Sequence, residues 1–348
     1  MAITSQTYPS SKGEITLYTI TNASGASVTL STVGAGITSI RVPDRDGVVA
    51  DVVLGYKNPA DYLYDGPCAG KIPGRYANRI ANGRFTLLGK TYHLAVNNGP
   101  NALHGGPEGF QNRLWKAREI TADTVEFLYH SSDGEEGYPG NLDVKAVYTW
   151  DDDCSLTLHL SAVTDTATVV NLTNHAYFNL NGESSGSVLG HELRLAAPSF
   201  LPTGVSLIPT GEMDPVEDTP MDFLSFKKIG RDIDADFMPL KIAKGYDHCF
   251  VTEDYLSGKL RTVAQLKAAL SGRMLTVMTT QPGIQVYTGN YLAGAPESIS
   301  GKAYSDYDGV ALECQNFPDA PNQPQFPSAE VTPEKPYDQT IIFQFTIY

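Results

Sequence analysis

Leu142-Asp143-Val144-Lys145-Ala146-Val147-Tyr148-Thr149-Trp150, followed four residues later by Ser155-Leu156-Thr157-Leu158-His159-Leu160-Ser161-Ala162, decides the fold class. Both runs are short and rich in apolar, β-branched and aromatic residues, so they read as neighbouring strands. Working back along the chain, Thr124–Tyr129 and Trp115–Ile120 repeat the pattern, and Arg84–Leu88 and Thr91–Leu94 flank Gly89-Lys90 as a hairpin. That spacing is the one expected of an antiparallel sandwich or barrel. Further back, Ile15–Thr21, Val28–Ser31, Ile37–Val42 and Val52–Leu54 read as a meander broken by Asn, Gly, Asp and Pro. The one helix-like fragment in this part, Asn58–Tyr64, cannot supply the crossovers of a parallel sheet. The class is all-β.

Towards the C-terminus, Leu260–Leu270 fits both a period of two and a near-helical stripe. A strand is the consistent choice, because Ser271-Gly272 then turns into the β-rich Met274–Thr279. Six prolines between Pro318 and Pro336 exclude helix and central strand, leaving an extended loop before a last strand, Thr340–Ile347. Neither a linker nor a fixed-period repeat divides the chain, so residues 1–348 are expected to form one domain.

Composition narrows the function. With 348 residues, 41% of them hydrophobic, the chain can bury a sizeable core. A net charge of -14, a pI near 4.9 and no basic run longer than Lys227-Lys228 exclude a nucleic-acid partner. Met1–Gly13 has neither the basic nor the apolar region of a leader, and no apolar run is long enough to span a bilayer, so the expected compartment is the cytoplasm, without membrane association. Cys68, Cys154, Cys249 and Cys314 form no C-x-x-C pair and are expected to be reduced thiols. Seven scattered histidines and the absence of H-E-x-x-H point to chemistry without a metal. Gly182-Glu183-Ser184-Ser185-Gly186 spells a nucleophile elbow but reads as a turn, and Gly66–Lys71 has the wrong spacing for a phosphate loop.

Four polar constellations remain. Asn171–Leu180 reads as a buried strand carrying His175 among amides and aromatics, where an imidazole can serve as an acid or base near pH 7. Gly74–Ile80 holds two arginines, of which Arg79, beside Ile80, either pairs with an acid for structural reasons or meets ligand oxygens. His104 lies in a glycine-rich loop, Leu103-His104-Gly105-Gly106, and Asp247 sits in Gly245–Phe250 as a hydroxyl acceptor or a turn cap. In Val310–Gln315, alternation puts Leu312 and Cys314 on one face and Ala311, Glu313 and Gln315 on the other. A carboxylate there is either outward-facing or a base whose pKa burial has raised.

Taken in order, Asn78-Arg79-Ile80, Leu103-His104-Gly105-Gly106, Gly137-Tyr138-Pro139-Gly140, Thr173–Leu180, Gly245-Tyr246-Asp247-His248 and Leu312-Glu313-Cys314-Gln315 resemble the aldose 1-epimerase (galactose mutarotase) family. The resemblance covers most of the chain and is weaker before about Val52. It implies a large antiparallel β-sandwich with few short helices, one monosaccharide site, and no cofactor. It also implies Glu313 as the base at the C1 hydroxyl and His175 as the acid at the ring oxygen. Arg79, His104 and Asp247 match sugar-binding positions, with Asn78 and Gln285 as lesser contacts and Tyr287 as a packing aromatic where other members have Phe. A monomer or homodimer would serve this chemistry equally. The rival readings are a glycoside hydrolase or lyase, which needs a second carboxylate near Glu313, a carbohydrate-binding protein without catalysis, and a sugar-phosphate epimerase, which needs more cations than Arg79.

Overall fold

Side-chain parity sorts the strands. Along Leu142–Trp150 the odd partners Asp143 and Lys145 are exposed, while Leu142, Val144, Ala146, Tyr148 and Trp150 are buried, as a strand with one face on the core requires. The computed structural model, which describes residues 1–348, builds this strand into a nine-stranded sheet. Its spatial order is Lys116–Thr121, Thr124–Ser131, Leu142–Trp150, Ser155–Thr164, Tyr337–Ile347, Arg273–Thr279, Arg261–Lys267, Glu192–Leu195, Lys227–Lys228. A six-stranded sheet follows the order Tyr177–Phe178, Val310–Gln315, Gly283–Tyr287, Asp247–Val251, Ser199–Phe200, Asp214–Pro215. All pairings within both sheets are antiparallel.

The two sheets share one core. Phe178 of the smaller sheet meets Phe343 of the larger at 5.2 Å between ring centroids, and Phe250, Ile284, Val286, Leu312 and Cys314 join Ala146, Leu158, Val277 and Ile341 in the same cluster. A five-stranded sheet of the first 51 residues adds Val28, Ile37 and Ile40 to that core. The fold is an all-β, large antiparallel sandwich, with Met238–Ala243 as its α-helix.

Most expected strands are found, with informative shifts. Leu260–Leu270 is a strand only at Arg261–Lys267, and the connection to Arg273–Thr279 runs through Ala268–Gly272, longer than the two-residue turn expected at Ser271-Gly272. The hairpin of Arg84–Leu87 and Lys90–His93 turns one residue earlier than expected, at Leu88-Gly89, where both φ angles are positive. Such a turn favours glycine, and Gly89 supplies one of the two positions. Asn58–Tyr64 becomes a short 3₁₀ helix at Pro59–Leu63. Ala2–Ser10, unassigned from sequence, pairs with Gly13–Thr21 as an edge strand, a place that tolerates its Pro9.

Asn171–Leu180 departs furthest from expectation. Only Tyr177–Phe178 is a strand; the segment before it makes a single isolated parallel bridge, Asn171 with Tyr76, and no continuous ladder. Side-chain amides take over the pairing. Asn171 Nδ2 donates to Ala77 O (3.1 Å) and Asn316 O (3.3 Å), and its Oδ1 accepts from Asn316 N (2.8 Å). Asn174 Nδ2 donates to Gly70 O (2.6 Å) while its Oδ1 accepts from Ala176 N (3.0 Å). Buried backbone groups need partners, and here asparagine provides them. Asn171→Ala should therefore destabilise the fold by about 2 to 3 kcal/mol, because it orphans buried groups on two other segments. A urea midpoint that falls with an unchanged slope would register this, and a shift under about 0.5 kcal/mol would refute it.

Candidate active site

The cleft lies on the face of the six-stranded sheet opposite the core, and strand register decides which side chains reach it. Gln285 is the Cα partner of Glu313 and of Cys249, and Tyr287 is the partner of Asp247 and of Ala311, itself paired with Tyr177. Because alternate residues share a face, Glu313, Gln285, Tyr287, Asp247 and Tyr177 all point away from the core that takes Leu312, Cys314, Ile284, Val286 and Phe250. The expected division of Val310–Gln315 between two faces is what the chain adopts. Both faces are covered, so every residue of this strand is buried.

His175 reaches the same place from the amide-tied segment. Its N–H donates to Lys71 O and its carbonyl accepts from Gly70 N, both at 2.9 Å, so the loop segment Gly70-Lys71 fixes its backbone. Its Nε2 lies 3.5 Å from Glu313 Oε1. Tyr177, at 5.0 Å between ring centroids, and Tyr287, at 6.3 Å, wall the imidazole, and Tyr177 is anchored by donating from its hydroxyl to Pro67 O (3.0 Å).

Arg79 and His104 come from two paired segments, Arg79–Ile80 and Ala102–Leu103. Asn78 and His104 both adopt left-handed backbone, and each bonds to the other: His104 N donates to Asn78 O (3.0 Å), and Asn78 N donates to His104 Nδ1 (3.1 Å). With Nδ1 accepting, the proton of the neutral imidazole is on Nε2. Burial, then the neighbouring His175 and Arg79, hold His104 well below the usual histidine range, so it is a neutral donor. Gly105 is required beside it, since a Cβ there would lie 1.8 Å from Gly74 O. The His104 ring stands edge-on to that of His175, 5.4 Å away.

Arg79 Nε donates to Asn98 Oδ1 (3.1 Å), and its Nη2 lies 3.8 Å from Asp247 Oδ2. Gln285 Nε2 donates to Asp247 Oδ1 (2.6 Å). A line of polar groups thus runs from Gln285 through Asp247 to Arg79. Arg75, the other arginine of the motif, is structural: its guanidinium donates to Pro139 O (2.7 Å), Gly140 O (3.0 Å) and Ser131 Oγ (2.6 Å).

Of the eight residues singled out from sequence, Asn78, Arg79, His104, His175, Asp247, Tyr287 and Glu313 line one cleft of about 1160 Å³. Gln285 does not; it is buried behind Asp247 and fixes that carboxylate. Two residues without a sequence assignment support the floor. Lys71 and Asp65 form an ion pair with both side chains fully buried, and the signal for it was a lysine set in the small and apolar run Cys68–Pro73.

Burial biases the central pair towards a protonated carboxyl and a neutral imidazole. Burial pushes the Glu313 carboxyl well above its usual range, reinforced by Asp247 and opposed by Arg79. Burial also lowers His175 to about 4, against smaller opposing contributions that include Asp65 and Asp247. Glu313 Oε2 and His175 Nδ1 have no partner in the protein. The arrangement brings a carboxyl and an imidazole together at one point of the cleft, with Arg79, His104 and Asp247 displaced to one side.

A family model described as aldose 1-epimerase matches residues 16–344. Galactose mutarotase of Mus musculus is 44% identical over 321 residues, covering 92% of this chain and 91% of its own, and aldose 1-epimerase of Escherichia coli K12 is 39% identical over 331 residues, covering 94% of each. Among solved structures, an aldose epimerase homologue from C. elegans superposes with a TM-score of 0.87 at 31% identity, covering 95% of this chain and 98% of its own. Galactose 1-epimerase from Lactobacillus acidophilus gives 0.87 at 26% identity, covering 100% and 99%.

Proposed function

This chain belongs to the aldose 1-epimerase family and interconverts the α and β anomers of aldoses, and we propose that Glu313 and His175 carry out the reaction within one domain, residues 1–348. The observation that supports these roles is the 3.5 Å approach of Glu313 Oε1 to His175 Nε2 at the floor of the cleft. Anomerisation needs a base at O1 and an acid at the ring oxygen, two atoms bonded to the same carbon, so the two groups must nearly touch.

In the forward direction ionised Glu313 takes the O1 proton. The electron pair of that O–H bond forms the aldehyde C=O, the bond between C1 and the ring oxygen breaks, and protonated His175 delivers a proton to the departing oxygen. Rotation about the bond between C1 and C2 presents the other face of the aldehyde, and closure returns both protons. The open-chain stage has a protonated Glu313 and a neutral His175, which is the state that burial favours in the free enzyme. The site is thereby electrostatically matched to the open form.

Arg79, His104 and Asp247 hold the distal hydroxyls, leaving C1 free to turn. Asn78 acts by shaping the backbone under His104, and Gln285 by orienting Asp247. Both Asp247 oxygens face protein donors, which supports a binding role over that of a second hydrolytic carboxylate. The substrate is a free monosaccharide, with galactose and glucose as the leading candidates. Four unpaired cysteines support the cytoplasm as the compartment.

The test is polarimetry on freshly dissolved α-galactose and α-glucose against buffer, across pH. Catalysed mutarotation is expected, with a bell-shaped profile because the working pair carries one proton. The acid limb marks the second proton entering, near the value of about 4 to which His175 is lowered, and the alkaline limb marks loss of the shared proton from Glu313. Binding without acceleration would reduce the protein to a lectin, and release of sugar from an aryl glycoside would make it a hydrolase.

A further inference from the structure

We propose that the buried ion pair of Asp65 and Lys71 is a positioning device for His175, fixing the segment to which the backbone of His175 is bonded. The inference rests on the reading of His175 as the acid. Lys71 is completely enclosed: Gly34 and Gly36 pack on its stem, where added Cβ atoms would lie 3.0 and 3.2 Å from its Cβ and Cγ. Its ammonium donates to Tyr62 O (2.6 Å) and Asn112 Oδ1 (3.3 Å) besides pairing with Asp65. Asp65 is held in turn by Tyr56 Oη (2.8 Å) and Ala69 N (2.7 Å). A charge pair so placed costs desolvation that an apolar pair would avoid, so fold stability alone is a poor reason for it.

What the pair fixes is the loop segment bonded to the His175 backbone. Lys71 O accepts the His175 N–H, Gly70 N donates to the His175 carbonyl, and Gly70 O accepts from Asn174. Asp65 and Lys71 clamp the two ends of the loop containing Cys68, Ala69 and Gly70, so a rotation of either would move the imidazole relative to Glu313. The other ionisable groups around His175 are Glu313, Asp247, Tyr287 and Tyr177 from the sheet, and His104 and Arg79 from the opposing loops. Of the clamp itself, Asp65 favours the imidazolium and Lys71 disfavours it.

Opposed charges give a signature that mere structural support lacks. In full-length protein with ring-labelled histidine, the His175 resonance, identified by its loss in His175→Asn, is titrated in Lys71→Met and Asp65→Asn. The expected result is displacement of its titration upward in Lys71→Met and downward in Asp65→Asn, with kcat lower by about 10 to 10²-fold and KM nearly unchanged. Displacement in the same direction, or none, overturns the proposal even where the melting temperature falls. Should either single variant fail to fold, Asp65→Asn/Lys71→Met removes both charges together, and a wild-type kcat in that variant overturns it as well. A fully active His175→Asn would instead remove the acid role itself, so the two failures are distinguishable.

Discussion

Glu313→Gln is expected to lower kcat for mutarotation by about 10² to 10⁴-fold, the contribution of a positioned general base, while KM changes little. Glutamine keeps the shape and can still bond O1, but cannot accept its proton. The same substitution should leave the protein as stable or make it more so. In the native state burial raises the Glu313 pKa above its ordinary value of 4.5, so the folded chain holds a proton that the unfolded chain releases. Stability associated with this group is fully present below pH 4.5 and is lost as pH rises through the elevated folded value. Glu313→Gln lacks that loss, so its advantage in melting temperature should grow from acidic to neutral and alkaline pH. Polarimetry and thermal melts on one preparation decide both points. A variant with wild-type rates excludes Glu313 as the base, and one that is inactive but strongly destabilised leaves the carboxylate with a structural part that this account does not contain.

How far residues could be read before any coordinates depended on whether their signal was local. Val310–Gln315 was legible because alternation is a property of the strand itself, and the face that carries Glu313 follows from parity alone. The hairpins around Gly89 and Gly272 were legible for the same reason. Asn171–Ala176 misled because the amides that look like site polarity are spent on backbone groups of Ala77, Gly70 and Asn316, none of them near in sequence. Gln285 carried a polar label but not a position, since its place behind Asp247 depends on the register between two strands separated by a long connection. Lys71 was only faintly legible for a related reason: its small and apolar neighbours hint at burial, but the glycines and Asp65 that make burial tolerable are brought around it by the fold. The contacts that position the site are therefore the least legible, whereas the polar groups that line the cleft are largely legible.

His175→Asn should cost about 10² to 10⁴-fold in kcat, and it tests the acid where Glu313→Gln tests the base. Asparagine can occupy the space and donate a hydrogen bond to the ring oxygen but cannot release a proton to it, so ring opening would have to expel an alkoxide. The loss should be reflected in the pH profile. His175 is lowered from 6.5 to about 4 by burial, and without it Glu313 is left to titrate alone; because the base must be ionised, whatever residual activity remains should rise with pH through the raised Glu313 value and lose the alkaline limb. A depressed histidine pKa also contributes stability that is present above pH 6.5 and lost as pH falls through about 4, so the variant should unfold less steeply with acid than the parent over that interval. The two substitutions have opposite linkage signs, one flattening the alkaline side of the stability curve and the other the acid side, and that opposition follows from a single buried pair sharing one proton. A residual rate within threefold of the wild type, or an alkaline limb that survives the substitution, would assign the proton at the ring oxygen to another donor, and the neutral His104, whose ring is 5.4 Å away, would be the next to replace.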